Sequence, residues 1–148
     1  MLDVATVLQQ HKSSPPNILA TLQKIQEAIG YVPRGKIPEI AAALGVTDSD
    51  VAGVLSFYHD LRTHPPGRHI LRFCLGDSCL ATHCEKSLAV LEEKLGCKLS
   101  GVSRDKRFTL EKVYCLGNCA LSPSLMIDDK VHGRFTPKNV ATILRDYR

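Results

Sequence analysis

Apolar positions in the first sixty-five residues recur with a helical period. In "NILATLQKIQEAIG" the residues Ile18, Leu22, Ile25 and Ile29 share one face. Asn17, following Pro15-Pro16, suits an N-cap, and Gly30 suits a stop. A second helix is predicted from near Pro38 to Gly45 in "IPEIAAALG". A third opens on Thr47-Asp48-Ser49-Asp50, which has capping-box character, and carries Val51, Val54, Leu55 and Tyr58. "HPPG", residues 64–67, interrupts the pattern and reads as a linker.

Beyond the linker the period changes. "HILRFC" reads as a strand entering Cys74, and residues 80–95 as one amphipathic helix with Cys84, Leu88, Leu91 and Leu95 on a single face. "FTLEKVYC" reads as a second strand that also ends on a cysteine. "SLMID" and "VHGRF", joined by "DDK", form a predicted hairpin. Thr136-Pro137 is placed to cap a last helix bearing Val140, Leu144 and Tyr147. The expected organisation is α+β: a helical bundle over residues 1–65, then a small α/β domain over 66–148.

Composition narrows the function classes. A chain of 148 residues with 44% hydrophobic and 23% charged content is that of a globular protein. No apolar run reaches the roughly 18–20 residues of a membrane span, so direct membrane insertion is not expected. The first residues, "MLDVATVLQQHK", lack the basic and apolar regions of a signal peptide, which makes the cytoplasm the expected location. The net charge of +4 is spread without a basic block, which argues against nucleic acid as a partner.

A reducing compartment changes the meaning of six cysteines, because clustered thiols there bind metal or do redox chemistry more often than they form disulfides. Cys74-x4-Cys79 is followed, after 35 intervening residues, by Cys115-x3-Cys119. Both pairs sit in Cys-Leu-Gly loops after predicted strands. Neighbouring strands would bring the four thiols together, and Gly76 and Gly117 would let backbone N–H groups approach bound sulfurs. All-cysteine ligation suits a [2Fe-2S] cluster or a structural zinc. Neither pair has the Cys-x2-Cys spacing of a zinc ribbon, which favours iron–sulfur while leaving zinc open. Cys84 reads as a buried structural thiol, Cys97 as incidental, and His83 and His132 as surface or locally bonded residues. Asp77 reads as a solvated loop carboxylate.

The same residues resemble a known family. Cys-x4-Cys and then Cys-x3-Cys within "VYCLGNCALSPSLMID" are similar to the thioredoxin-like [2Fe-2S] ferredoxins, a family that includes the small iron–sulfur subunit of respiratory complex I (NADH:quinone oxidoreductase) and of NAD-dependent hydrogenases and formate dehydrogenases. "LQKIQEAIGYVP", "IAAALGV" and "GVLSFYHDL" resemble the family's helical N-terminal region. "CLGNCALSPSLMIDDKVHGRFTP" looks most like the gamma subunit of soluble, molybdenum-containing, NAD-dependent formate dehydrogenases. The resemblance implies a thioredoxin-like fold and one [2Fe-2S] cluster on Cys74, Cys79, Cys115 and Cys119, two ligands per iron. It also implies electron exchange with the FMN of an NAD(H)-binding partner subunit, in an assembly with a further iron–sulfur or molybdenum subunit. Backbone N–H groups of Gly76, Ser78, Gly117 and Asn118 are then expected to face the cluster.

The chain has no dinucleotide-binding Gly-x-Gly-x-x-Gly, no phosphate loop and no acid–base or nucleophile constellation, so no catalytic residue for a substrate is expected in it. Two readings of another class remain. A zinc-stabilised interaction module would use the same cysteines. An iron–sulfur helix-turn-helix sensor would use "IPEIAAALGVTDSDVAGVLSFY", although its second helix holds Asp48, Asp50 and Asp60 and no Lys or Arg. Phe57 and Tyr58 fit either a docking surface for the flavin subunit or core packing.

Overall fold

A computed structural model describes residues 3–10 and 17–147. The chain divides between Pro65 and Pro66 into two compact units, each with its own core.

The first unit is helical: α1 (Val4–Gln10), α2 (Ile18–Ile29), α3 (Ile37–Leu44) and α4 (Asp48–Phe57). The Asn17 side chain accepts from the Ala20 N–H at the start of α2, and Gly30 ends that helix with φ 90°. Pro15 and Pro16 lie outside the described residues. Gly45 closes α3 with φ 65°. At the start of α4 the Thr47 hydroxyl and Asp50 carboxylate cap each other's backbone N–H, a complete capping box. Leu22, Ile25, Val32, Ile40 and Val51 are fully enclosed between the helices. Gln26 ties the chain beyond α4 to α2, donating to the Asp60 carbonyl at 2.8 Å and accepting from the Arg62 N–H at 2.6 Å. Tyr58 does not continue the apolar face of α4 as expected; it follows the helix end and is exposed, as is Phe57, and the two rings pack edge-on at 5.2 Å.

The second unit contains β1 (His69–Cys74), α5 (Asp77–Ala81), α6 (Cys84–Leu95), β2 (Phe108–Val113), β3 (Leu125–Ile127), β4 (Lys130–His132) and α7 (Val140–Arg145). Its sheet has the order β2-β1-β3-β4. Strands β1 and β2 run parallel with His69 opposite Phe108 and Cys74 opposite Val113. Parallel strands end at the same edge of a sheet, so the loops that leave Cys74 and Val113 start side by side. β3 runs antiparallel to β1, with Leu125 opposite Phe73, so the segment entering β3 meets that same edge. Leu71, Phe73, Phe108, Leu110, Leu125, Ile127 and Phe135 form the centre of the core, with Leu91 of α6 and Val140 of α7 against it.

Three expectations change here. Residues 80–95 are not one helix. The Thr82 hydroxyl bonds back to the Ser78 and Cys79 carbonyls, both at 3.0 Å, and His83 turns to φ 57°, so α5 ends and α6 restarts at Cys84. The second strand stops at Val113, after the Leu75 N–H bonds the Val113 carbonyl at 2.7 Å. Thr136-Pro137 does not cap the last helix, which begins at Val140 with Asn139 before it. Asn139 instead holds the preceding turn, accepting from the Thr136 N–H at 2.8 Å and donating to the Arg134 carbonyl at 3.0 Å.

Tyr147, just past α7, is joined to β4 through a 2.8 Å bond between its hydroxyl and His132 Nε2. Burial lowers the His132 pKa, the Lys130 charge adds to this, and Asp146 opposes it. A folded-state imidazole harder to protonate than the unfolded one gives stability that is fully present above the ordinary value, about 6.5, and is lost as pH falls from there through the lower folded value. The protection of α7 amides, corrected for the intrinsic pH dependence of exchange, is therefore expected to be lower at about pH 5.5 than at about pH 7.5, and His132→Gln should flatten this difference. Equal pH dependence in the variant would show that His132 is not responsible.

Candidate metal centre

The shared sheet edge gathers four of the six cysteines. Cys74 is the last residue of β1, and the chain then turns through Gly76 into α5, which carries Cys79. Cys115 lies two residues past β2, and Cys119 opens a short 3-10 turn, 119–121, on the way to β3. The two pairs differ in environment. Cys74 and Cys79 are each 3% exposed, whereas Cys115 and Cys119 face solvent.

Within the pairs the sulfurs are close. Cys115 Sγ and Cys119 Sγ stand 3.8 Å apart, and the neighbouring Cys79 thiol helps to raise the Cys74 pKa. A tetrahedral metal at about 2.3 Å from two thiolates holds them about 3.8 Å apart, so the outer pair already has the bite of one metal ion. Among the described residues no three Cys, His or carboxylate side chains converge on a single ion position. The arrangement is two pairs of donors, which is what a binuclear centre with two thiolates per metal requires.

The loops touch through their backbones. A Cβ on Gly76 would lie 2.4 Å from the Tyr114 carbonyl oxygen, so only glycine lets the two loops approach this closely. Gly117 has open space around it but a φ of 73°, and it is the backbone conformation there that favours glycine. Its N–H donates to Cys115 Sγ at 3.3 Å. Burial pushes the Cys74 thiol up, while hydrogen bonds from the Gly76 and Leu116 N–H groups pull against that rise. The hydrogen bond with Cys115 raises Cys119, and the nearby Cys79 adds to this. Backbone N–H groups thus reach the sulfurs of Cys74 and Cys115.

Of the N–H groups expected to face sulfur, Gly76 and Gly117 do so. Ser78 and Asn118 act through their side chains: Ser78 Oγ donates to the Cys119 carbonyl at 3.2 Å, and Asn118 Nδ2 donates to Ser124 Oγ at 3.1 Å. Two groups were missed by sequence reasoning, the Leu116 N–H beside Cys74 and the Ser122 hydroxyl 3.7 Å from Cys79 Sγ. A hydroxyl three residues past the last cysteine of a cluster motif was the available signal for the second.

The remaining candidates lie outside the two pairs, although Cys84 is near enough to Cys79 and Cys74 to be raised by them. Cys84 is fully buried in the core on α6, with its pKa pushed up by burial and by Glu85. Cys97 is half-buried against the same core. His83 is exposed near Glu85, His132 bonds Tyr147, and Asp77 is exposed to solvent.

The donor set fits an iron–sulfur cluster. It is all sulfur, paired, reached by backbone N–H groups and closed over by a glycine where a Cβ would meet the facing loop's backbone. Comparison with known proteins agrees with it. The chain matches the model of the thioredoxin-like [2Fe-2S] ferredoxins over residues 4–148. It is 42% identical over 129 residues to a subunit of NADH-quinone oxidoreductase from Pseudomonas aeruginosa, covering 87% of this chain and 78% of that one. The subunit of the same name in Escherichia coli is 38% identical over 130 residues, with 88% and 78% covered. In fold, the chain superimposes on a crystal structure of an NAD+-reducing [NiFe]-hydrogenase with a TM-score of 0.71 at 18% identity, over 90% of this chain and 23% of that one. No helix among the described residues is long and apolar enough to cross a membrane. With a mixed helix-and-sheet fold and a paired set of thiols at one sheet edge, this chain belongs to the thioredoxin-like [2Fe-2S] ferredoxin family, whose cofactor is a [2Fe-2S] cluster.

Proposed function

We propose that the chain is a one-electron carrier, holding its [2Fe-2S] cluster on Cys74, Cys79, Cys115 and Cys119 within an NADH-oxidising complex. The observation that carries this reading is the pairing of the thiols. The parallel strands β1 and β2 deliver one cysteine pair each to a single edge, and the outer pair is spaced for one metal ion. When bound, the cluster supplies reversible one-electron chemistry. The protein holds it in place, offers N–H groups to its sulfurs and shields one side of it. The exposed side of Cys115 and Cys119 is the route by which an electron partner would approach.

The assembly is read from the relatives. The Pseudomonas aeruginosa and Escherichia coli relatives are subunits of NADH-quinone oxidoreductase, which favours the complex I role over that of a formate dehydrogenase gamma subunit. The fold likeness to an NAD+-reducing hydrogenase is compatible with either role. In the complex I reading the partner is the flavin subunit that binds FMN and NAD(H), followed by further iron–sulfur subunits. Substrate catalysis belongs to those partners. A DNA-binding role has little to rest on. The α4 helix opens with Asp48 and Asp50, which would repel phosphate.

Two measurements test this. Anaerobically purified chain should show visible absorbance that bleaches with dithionite, and about two irons and two sulfides per chain. One zinc and no colour would point to a structural module instead. Affinity isolation of the chain from its native cells should then recover a flavin subunit with quinone-reductase partners. Recovery of a molybdenum subunit would restore the formate dehydrogenase reading.

A further inference from the structure

The Ser122 hydroxyl stands where the two cysteine loops meet. It lies 3.7 Å from Cys79 Sγ, 2.8 Å from the Cys119 carbonyl and 2.8 Å from Ser78 Oγ. Ser78 Oγ is also 3.2 Å from that same Cys119 carbonyl. Ser122 has one proton to donate and three acceptors within reach, the Cys119 carbonyl, the Cys79 sulfur and Ser78 Oγ. In the thiol form Cys79 donates to Ser122 and Ser122 donates to the carbonyl. A Cys79 thiolate has no proton, so its bond to Ser122 can persist only with the hydroxyl as donor. Ser78 is placed to take over the carbonyl when this happens. Both serines are half-buried, which limits competition from water.

We propose that the Ser78–Ser122 pair sets the reduction potential of this chain's cluster, by directing the Ser122 O–H to the Cys79 sulfur and so stabilising the reduced form. The inference rests on the cluster reading above and deepens it. No proton is transferred. Ser122 keeps its hydrogen and changes acceptor, and the added electron comes from the external reductant. Hydrogen bonds to ligand sulfur favour the more negative oxidation state, so removing one should make reduction harder. Ser122 acts through Cys79 and is a positioning residue.

The test is a potentiometric titration of the full chain, followed by the electron paramagnetic resonance of the reduced state, with iron and sulfide counted in each sample. For Ser122→Ala the reduced-to-oxidised ratio at a fixed potential should drop about tenfold, a downward shift of about 59 mV for a one-electron couple. Ser122→Thr, which keeps the hydroxyl, should restore the native potential. Ser78→Ala should lower it by less, because Ser122 must then also serve the Cys119 carbonyl. If Ser122→Ala retains two irons and two sulfides at the native potential, the proposal is overturned. Should Ser122→Ala fail to hold a cluster, Ser78→Ala decides: a lowered potential supports the pair, and an unchanged one removes it. A native chain without iron and sulfide would instead overturn the cluster reading itself.

Discussion

Cys74→Ala is expected to purify without visible absorbance and with iron and sulfide reduced at least tenfold, even under anaerobic conditions. Cys74 is the most constrained of the four thiols. It ends a central strand, is buried, and receives N–H bonds from Gly76 and Leu116, one from each loop. Structural zinc in a four-ligand peptide site is worth about 10–16 kcal/mol, and on that scale one thiolate is a share far larger than the tenfold threshold requires. Cys97→Ala is the matched control, and it should load fully because its thiol packs on the core away from both loops. Cys84→Ala should also load, with a stability loss of about 1 kcal/mol from the vacated core space. Full iron, sulfide and colour in Cys74→Ala would remove this residue from the ligand set. Loss of the cluster in Cys84→Ala without unfolding would mean that the wrong buried thiol had been chosen.

The second large effect is expected at Gly76. A methyl group there meets the Tyr114 carbonyl oxygen at 2.4 Å, and that atom is backbone, which cannot swing aside as a side chain could. Gly76→Ala must therefore part the two loops, at a cost of about 1–3 kcal/mol and with the spacing of all four sulfurs disturbed. The expected result is a lower melting temperature together with poor cluster retention. Gly117→Ala makes the informative contrast. Nothing lies within 4 Å of its added methyl, so the penalty is only backbone strain at φ 73°, about 1–2 kcal/mol, and the loops need not separate. This variant should be somewhat less stable yet keep its iron and sulfide, and Gly117→Asn should be milder still. Equal cluster retention in the alanine variants of Gly76 and Gly117 would show that close loop approach is not what the site depends on.

Several elements could be read directly from the sequence because their signals are local. Asn17 and Gly30 bound α2, Gly45 ends α3, and the Thr47–Asp50 capping box starts α4, each through a bond or backbone angle set within four residues. The strand entering Cys74 and the existence of the Met126 hairpin were legible from their alternation and turn residues, although its second strand is Lys130–His132 and not the expected 131–135. Misreadings arose where a side chain competed with the periodic pattern. Thr82 captures two carbonyls and splits the helix after Cys79, and Asn139 takes the position expected of Thr136. Apolar spacing carries no record of such competition, because the face remains apolar on both sides of the break. Tyr58 shows the converse: an apolar ring at helical spacing, left exposed because the helix ends one residue before it.

At the site, the order of residues alone shows four thiols in two close pairs, each pair with a glycine. Spacing along the chain is a one-dimensional quantity, and it left zinc and iron–sulfur both open. The tertiary structure decided which loops meet, because only the parallel pairing of β1 and β2 brings residues some forty positions apart to one edge. It also decided that one pair is buried and the other exposed, that Gly76 is required by contact and Gly117 by backbone angle, and that Ser122 lies beside Cys79. These are distances between segments. They depend on sheet order and register, which arise from burying the strands' apolar faces together rather than from any short stretch of residues.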